Sequence, residues 1–527
     1  MIGRGVVAAV LAVCAAVALG SWVRLGQPVA VPDAPVTRAQ CVSYAPFRGE
    51  ETPFDKTFSV SEQRLEEDLR HLSAFTPCVR TYATTNGLDK VAAVAERLGM
   101  TVLQGLWIGA EDAANRKELE KVVELAHAYP KTITGVIVGN EVLLRREQAA
   151  DRLAVYIREV NDRVEQPVTY ADVWEFWRRH GAALKDAVDF ITIHLLPYWE
   201  DDPSDISEAL VHVKQIHDQM AAEFPGKEIL VGEIGWPSTG RQREAAEASL
   251  VNETRFIRGV LQMTAAEGWR ANLIEATDQP WKRQLEGTTG GFWGVLGEGG
   301  TPKITLAGPV VEIADWQRWL LASVAVGLGI TLLAGLTGGP RADATGWTIS
   351  VTGGLAAGVL VVFCARHALF AARSPLEWGE HAASIGLAVL GPAMLLSLLR
   401  QQQPVQQQLG QQHPVGTAIA GWLYRLTLFS ASVTAIGLAF GGRYRDFPAT
   451  AILGVAVAVV LLMLARRSTA VLPERPEDRW LALITAAMAL GVVGLETVKN
   501  DDALAWAGSA LLLAAPALLR CRSSLSR

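Results

Sequence analysis

Two patterns of apolar spacing divide this chain. From about residue 41 to residue 276, short runs rich in Val, Ile and Leu recur, and between them apolar positions fall three and four apart. A short apolar or β-branched run reads as a buried strand, and the three-four spacing reads as one face of a helix. The strands expected are 41–46, 78–82, 101–106, 134–139, 167–171, 189–194, 228–233 and 271–276. Ser59-x-x-Glu62 offers a capping box ahead of Leu65, Leu69 and Leu72, while Leu153, Ile157, Val160 and Val164 mark the helix after the fourth strand. Eight strands alternating with helices over ~280 residues is the count of an α/β fold closed into a (β/α)8 TIM barrel. A doubly wound open sheet is the alternative. No Gly-x-Gly-x-x-Gly follows the first strand, which speaks against that sheet and against a dinucleotide.

Elsewhere the apolar runs lengthen and lose their polar face. Stretches near 5–23, 318–338, 347–365, 382–399, 418–440, 449–465, 480–496 and 503–519 approach or reach the roughly 17–25 apolar residues that a helix needs to cross a bilayer. The expected domains are therefore an N-terminal anchor and linker (1–34), the barrel (35–317) and a polytopic region of about seven spans (318–527). The first run could also be a signal peptide, since Arg4 precedes it and Ala18-Leu19-Gly20 ends it; an uncleaved anchor is favoured. With eight spans both termini share a side, and placing them inside collects Arg4, Arg341, Arg400, Arg466, Arg467, Arg475, Arg479, Arg520, Arg522 and Arg527 there. The barrel then lies outside the cytoplasm, in the periplasm if the membrane is a bacterial inner membrane. No expected span carries an interior carboxylate or histidine, which argues against a proton-coupled pump. The tract Gln401 to Gln412 reads as a solvated low-complexity loop.

Charge sharpens the division. Residues 318–527 hold 16 basic and 10 acidic side chains, a net +6, so the first 317 residues carry −12 of the chain's total of −6. So acidic a front argues against nucleic acid as a partner, because phosphate contacts need clustered Lys and Arg. Of five cysteines, Cys14, Cys364 and Cys521 fall in or beside spans, and Cys41 and Cys78 open the first two strands. Strand position and an oxidising compartment both permit a Cys41–Cys78 disulfide. Without Cys-x-x-Cys or clustered histidines no metal site is expected.

Barrel chemistry gathers where strands end at their C-terminal side. The fourth expected strand runs out into Gly139-Asn140-Glu141 and the seventh into Gly232-Glu233-Ile234-Gly235-Trp236-Pro237. Two carboxylates at one barrel mouth are what glycoside hydrolysis requires, one as proton donor to the leaving oxygen and one as nucleophile or base. The residues alone do not say which glutamate does which. Asn140 is placed to hydrogen-bond a sugar 2-hydroxyl, and Trp107, Trp236 and Trp281 have the flat apolar faces that pyranose rings stack on. Arg80, Tyr82, Asp172, His194, Tyr198, Glu275 and Lys282 also stand at mouth positions, with Glu275 and Tyr198 the foremost among them. Trp174, Trp177 and Trp269 fall on helices or helix ends, where packing is expected.

Asn140-Glu141 and Gly232-Glu233-Ile234-Gly235-Trp236-Pro237-Ser238 resemble the catalytic segments of glycoside hydrolase family 17, the β-1,3-glucanases and β-1,3-glucanosyltransferases. The resemblance extends to Val42-Ser43-Tyr44-Ala45-Pro46-Phe47, which adds Tyr44 to the candidate sugar contacts, to Val79-Arg80-Thr81-Tyr82 and to Glu275-Ala276-Thr277-Asp278-Gln279-Pro280-Trp281-Lys282, and covers roughly 38–305. It implies a retaining mechanism with Glu141 as acid/base and Glu233 as nucleophile, no cofactor, a β-glucan substrate, and a place in glucan synthesis or remodelling beside a glucan synthase. Leu196-Pro197-Tyr198 departs from the Tyr-Pro-Tyr of plant members, which leaves linkage preference open. The competing expectation is a barrel that binds glucan without turnover, with the spans as an export conduit or a docking platform for a synthase.

Overall fold

The computed structural model describes residues 3–337, 342–401, 415–466, 468, 471–473 and 475–525. The glutamine tract beyond Gln401, Arg341, Arg467 and Arg527 lie outside the described residues. The chain divides into two compact units, one of residues 29–240 and 245–310, the other of residues 1–28, 241–244 and 311–527.

In the first of these units eight parallel strands close on themselves: β1 (Cys41–Ser43), β2 (Cys78–Arg80), β3 (Thr101–Leu106), β4 (Ile133–Asn140), β5 (Val168–Val173), β6 (Ile191–Leu195), β7 (Ile229–Ile234) and β8 (Arg270–Leu273). Each pairs with its successor, and β8 returns to β1 through Asn272 opposite Cys41 and Leu273 opposite Val42. Alternation along the strands sorts the side chains. Val42, Val79, Val102, Val136, Val168, Ile191 and Val231 join the large core shared with the surrounding helices. Cys41, Cys78, Leu103, Ile137, Ala171 and Leu230, of opposite parity, form a separate cluster with Phe190, which places it inside the barrel. Cys41 and Cys78 are joined there as a disulfide. Buried polar side chains lie among these strands as well: the Thr169 and Thr192 hydroxyls meet at 3.0 Å, and Asn272 Nδ2 donates to Ser43 Oγ (2.8 Å) and to the Gly232 carbonyl (2.7 Å).

The helices bury the faces their spacing selected. Leu65, Leu69 and Leu72 of the helix Glu62–Ser73 are buried, as are Leu153, Ile157 and Val160 of Ala150–Asn161. Val164 lies past the end of the second helix and packs against the core from the following segment. The expected cap at Ser59 is corrected to Ser61, whose side chain accepts from Arg64 N. The Val60 N–H donates to the Asn86 carbonyl at 2.9 Å, which ties the segment before Ser61 to the loop after β2.

Among its described residues the other unit contains eight helices long and apolar enough to cross a membrane: Arg4–Leu25, Trp316–Thr337, Ala344–Ala371, Pro375–Leu399, Val415–Gly441, Ala449–Arg466, Pro476–Glu496 and Asp501–Leu525. Arginines gather and cap carbonyls at shared helix ends. Arg4 binds Asp343 and the Arg400 carbonyl (2.6 Å), Arg400 reaches the Ala334 carbonyl (3.3 Å), and Arg466 reaches the Leu398 carbonyl (3.1 Å). Arg425 pairs with Asp478 in the first turn of Pro476–Glu496, so a charge buried among the helices meets one of opposite sign.

Candidate active site

The pairing register shifts where three strands approach the mouth: between Ile137 and Asn140 on β4, between Ile193 and His194 on β6, and between Val231 and Ile234 on β7. Such irregularities re-aim side chains beside active sites. Gly139 supplies the turn on β4 with φ of 84°, where a Cβ would lie 2.6 Å from Val142. Glu141 follows with φ of 52°, a left-handed conformation that costs a non-glycine residue on the order of 1–2 kcal/mol. Its N–H donates to the Ala171 carbonyl at 2.8 Å, which secures that backbone.

Glu141 and Glu233 meet across His194. Glu141 Oε1 is 2.9 Å from His194 Nδ1, Glu233 Oε1 is 3.6 Å from Nε2, and the three contributing atoms lie within 4.8 Å of one another. Glu233 is the more enclosed, its side chain 6% exposed against 24% for Glu141. It accepts from Tyr82 Oη at 2.9 Å and from Arg80 Nη1 at 3.3 Å, two donors that suit a carboxylate. Arg80 is itself buried and fixed, with Nη1 donating to the Gly232 carbonyl (2.7 Å) and Nη2 to Asn140 Oδ1 (2.5 Å). A Cβ at Gly232 would lie 2.3 Å from the Thr192 methyl and 3.4 Å from that guanidinium, so the position has no room for a side chain. The Arg80 guanidinium borders these three side chains with positive charge, its Nη1 3.5 Å from His194 Nε2.

The surrounding electrostatics treat the carboxyls unequally. Burial pushes Glu141 up, yet the His194 hydrogen bond and the His194, Arg145 and Arg80 charges outweigh it and hold the carboxyl below its usual range. Asp172 is raised to about 6, chiefly by burial. Lys282 Nζ holds both oxygens of Glu275 at 2.7 and 2.8 Å, and burial still raises Glu275. Glu286, one turn further on, is raised to about 7 by burial, with the Glu275, Glu141 and Glu233 charges adding to it against Lys282.

Several expected sugar contacts are corrected. Trp236 is fully buried, packs on Tyr198 and Phe256, and donates to the Glu247 carbonyl, so no ring face is offered to a sugar. Tyr198 is equally buried, against Trp236 and Trp293. Tyr44 turns its hydroxyl to Asp68 on the first barrel helix. Asp172 is committed to Tyr170 Oη and the Val173 N–H, and Glu275 to Lys282. The polar ends of these side chains are satisfied within the fold, and they build the walls behind the site. Trp107, 38% exposed, does present a surface, with Arg145 4.0 Å from its ring centroid on one side. Trp281 stands partly exposed, edge-on to Phe54 and Phe47 at 5.7 and 6.1 Å. Trp177 is a core residue as expected, and Trp269 stacks on His217.

The structure also adds residues. Arg145 lies four positions after Glu141 and Glu286 four after Lys282, spacings that could have drawn attention to both. Glu118, whose Oε2 accepts from the Thr84 (2.8 Å) and Trp107 (3.1 Å) N–H groups, carries no sequence signal, because its partners are backbone.

Residues 41–294 match the BtgE/BtgC glycoside hydrolase domain. The chain is 28% identical over 266 residues to a glucan 1,3-beta-glucosidase of Saccharomyces cerevisiae, covering 44% of this chain and 80% of that one. It is 25% identical over 268 residues to a probable glucan endo-1,3-beta-glucosidase of Aspergillus fumigatus, covering 46% of this chain but only 38% of that protein. Among solved structures, a glycoside hydrolase family 17 β-1,3-glucanosyltransferase of Rhizomucor miehei aligns at 25% identity and a TM-score of 0.45, over 51% of this chain and 97% of that one.

Proposed function

We propose, from the match of residues 41–294 to the BtgE/BtgC glycoside hydrolase domain, that the protein is a membrane-anchored, retaining β-1,3-glucan glycosidase or transglycosylase. The observation that carries this reading is the separation of the carboxylates. Facing oxygens of Glu141 and Glu233 lie within 4.8 Å, in keeping with the roughly 5–5.5 Å between carboxyl groups of retaining enzymes and too close for the roughly 6.5–9.5 Å that leaves room for an attacking water.

The environments support distinct roles. Glu233, enclosed and held by two donors, Arg80 and Tyr82, is aimed as a nucleophile must be. Glu141, more open and in contact with an imidazole, can exchange a proton, as an acid/base must. The C1–O bond of the scissile link breaks as the leaving oxygen takes a proton on the Glu141 side, and Glu233 bonds to C1. An incoming hydroxyl then releases the sugar while its proton returns. Water gives hydrolysis and a second glucan gives transfer. Asn140, fixed through Oδ1 by Arg80, has its amide group available to a sugar 2-hydroxyl. Trp107 and Trp281 are the ring platforms.

The Cys41–Cys78 disulfide suits an oxidising compartment. With the eight apolar helices it supports a barrel on the periplasmic face of a bacterial inner membrane, in glucan synthesis or remodelling beside a synthase. The test is the detergent-solubilised full chain incubated with reduced laminari-oligosaccharides, with products read by mass spectrometry and anomeric configuration by NMR. Wild type is expected to shorten or lengthen the chains with retention, Glu233→Gln to abolish this, and Glu141→Gln to reduce it about 10²–10⁴-fold. An inverted product refutes the retaining reading. Binding without turnover refutes the enzyme in favour of a glucan-binding and export protein.

A further inference from the structure

A general acid must reach the substrate carrying a proton, yet the surroundings of Glu141 favour its carboxylate. His194 is the largest influence against burial, and it is a buried imidazole on β6, its side chain 1% exposed. The 2.9 Å contact between Nδ1 and Glu141 Oε1 serves in either direction: a ring N–H donates to a carboxylate, or a carboxylic acid donates to the ring nitrogen. The neighbouring charges are arranged around this bond. Arg80 on β2 stands 3.5 Å from Nε2 and Glu233 on β7 stands 3.6 Å from it, while Asp172 on β5 and Arg145 after β4 act on Glu141. Arg80 N–H groups facing Nε2 favour a lone pair there and the proton at Nδ1, on the Glu141 side.

We propose that His194 is a positioning residue of the acid/base, which orients Glu141 and shares with it the single proton that departs with the leaving sugar oxygen. This rests on the glycosidase reading above. In the first half-reaction the electrons of the C1–O bond stay on the leaving oxygen, which takes the shared proton through Glu141 as Glu233 bonds to C1. In the second, the hydroxyl of water or of an acceptor glucan attacks C1, the Glu233 ester bond breaks, and the hydroxyl proton returns to the His194–Glu141 pair. The His194 contact draws the Glu141 carboxyl down, so replacing His194 displaces the pH limit that Glu141 sets on catalysis.

The experiment compares the full chain with His194→Asn and His194→Ala on two substrates. One is a laminari-oligosaccharide, whose leaving alcohol needs a proton; the other is a dinitrophenyl β-laminaribioside, whose leaving phenolate does not. His194→Ala is expected to lower kcat/KM on the oligosaccharide roughly 10²-fold and on the dinitrophenyl substrate less than about threefold. His194→Asn keeps an N–H donor beside Glu141 and is expected to melt with wild type and keep its KM, while the alkaline limb of its pH profile is displaced. Equal losses on both substrates, or an unmoved limb in His194→Asn, overturn the proposal and leave His194 a packing residue. Wild type inactive on both substrates refutes the glycosidase reading itself.

Discussion

Lys282→Met isolates the ion pair that anchors the segment carrying Trp281. In the wild type both Glu275 oxygens lie 2.7–2.8 Å from Lys282 Nζ, with side-chain exposures of 2% for the glutamate and 16% for the lysine. At an effective dielectric of about 20 the gross attraction at that distance is about 6 kcal/mol. Much of it offsets desolvation, and removing one member of such a pair typically costs about 3–5 kcal/mol, because the other charge stays buried. For a domain of this size that is a fall in barrel Tm of roughly 6–20 °C, measured by tryptophan fluorescence on the solubilised full chain. The sign of the pH dependence follows from Glu275. Burial already raises its carboxyl in the fold, and without Lys282 it rises further, so the folded state holds the proton more tightly than the unfolded chain. The deficit is therefore small below the unfolded value of about 4.3 and grows as pH rises through the folded value. Lys282→Met/Glu275→Leu should recover most of the loss. A deficit that is flat from pH 4 to 8, or single-variant costs that simply add, would refute the reasoning.

Glu286→Gln is expected to stabilise the barrel at neutral pH relative to wild type. The folded carboxyl, at about 7, loses stability as pH rises from about 4.3 to 7, and melts across that window check it. Cys41→Ala/Cys78→Ala opens a loop of sequence separation 37, which chain entropy sets at about 4 kcal/mol; melts with and without a thiol reductant should show the loss against the oxidised wild type only. Trp107→Ala should raise KM for laminari-oligosaccharides about three- to tenfold with Tm little changed, whereas Trp236→Phe should lower Tm and leave KM alone. Equal KM effects from the two would return Trp236 to the sugar surface.

Much of the architecture is written in local spacing. The eight strands and eight long apolar helices follow from the period of apolar residues, because burial acts on each segment's own pattern. The two glutamates are legible from strand ends, since a barrel brings all its C-terminal ends to one mouth. Local patterning misplaces the cap at Ser59, two residues before Ser61, where the side chain that accepts from Arg64 N stands in a segment tied to Asn86 through Val60. It also draws Trp236 and Tyr198 to the sugar surface, because an aromatic near a strand end looks the same whether its ring turns to the mouth or to the helices.

Which residues arrive at the mouth is a property of the linear chain: Asn140, Glu141, His194 and Glu233 belong there by strand parity and order. What each does on arrival is a property of the closed barrel. That Arg80 and Tyr82 hold Glu233 while His194 takes Glu141 depends on distances between β2, β4, β6 and β7, strands up to 153 residues apart in the chain. Protonation is set by burial and by charges a few ångströms away, and neither quantity exists until the barrel has closed.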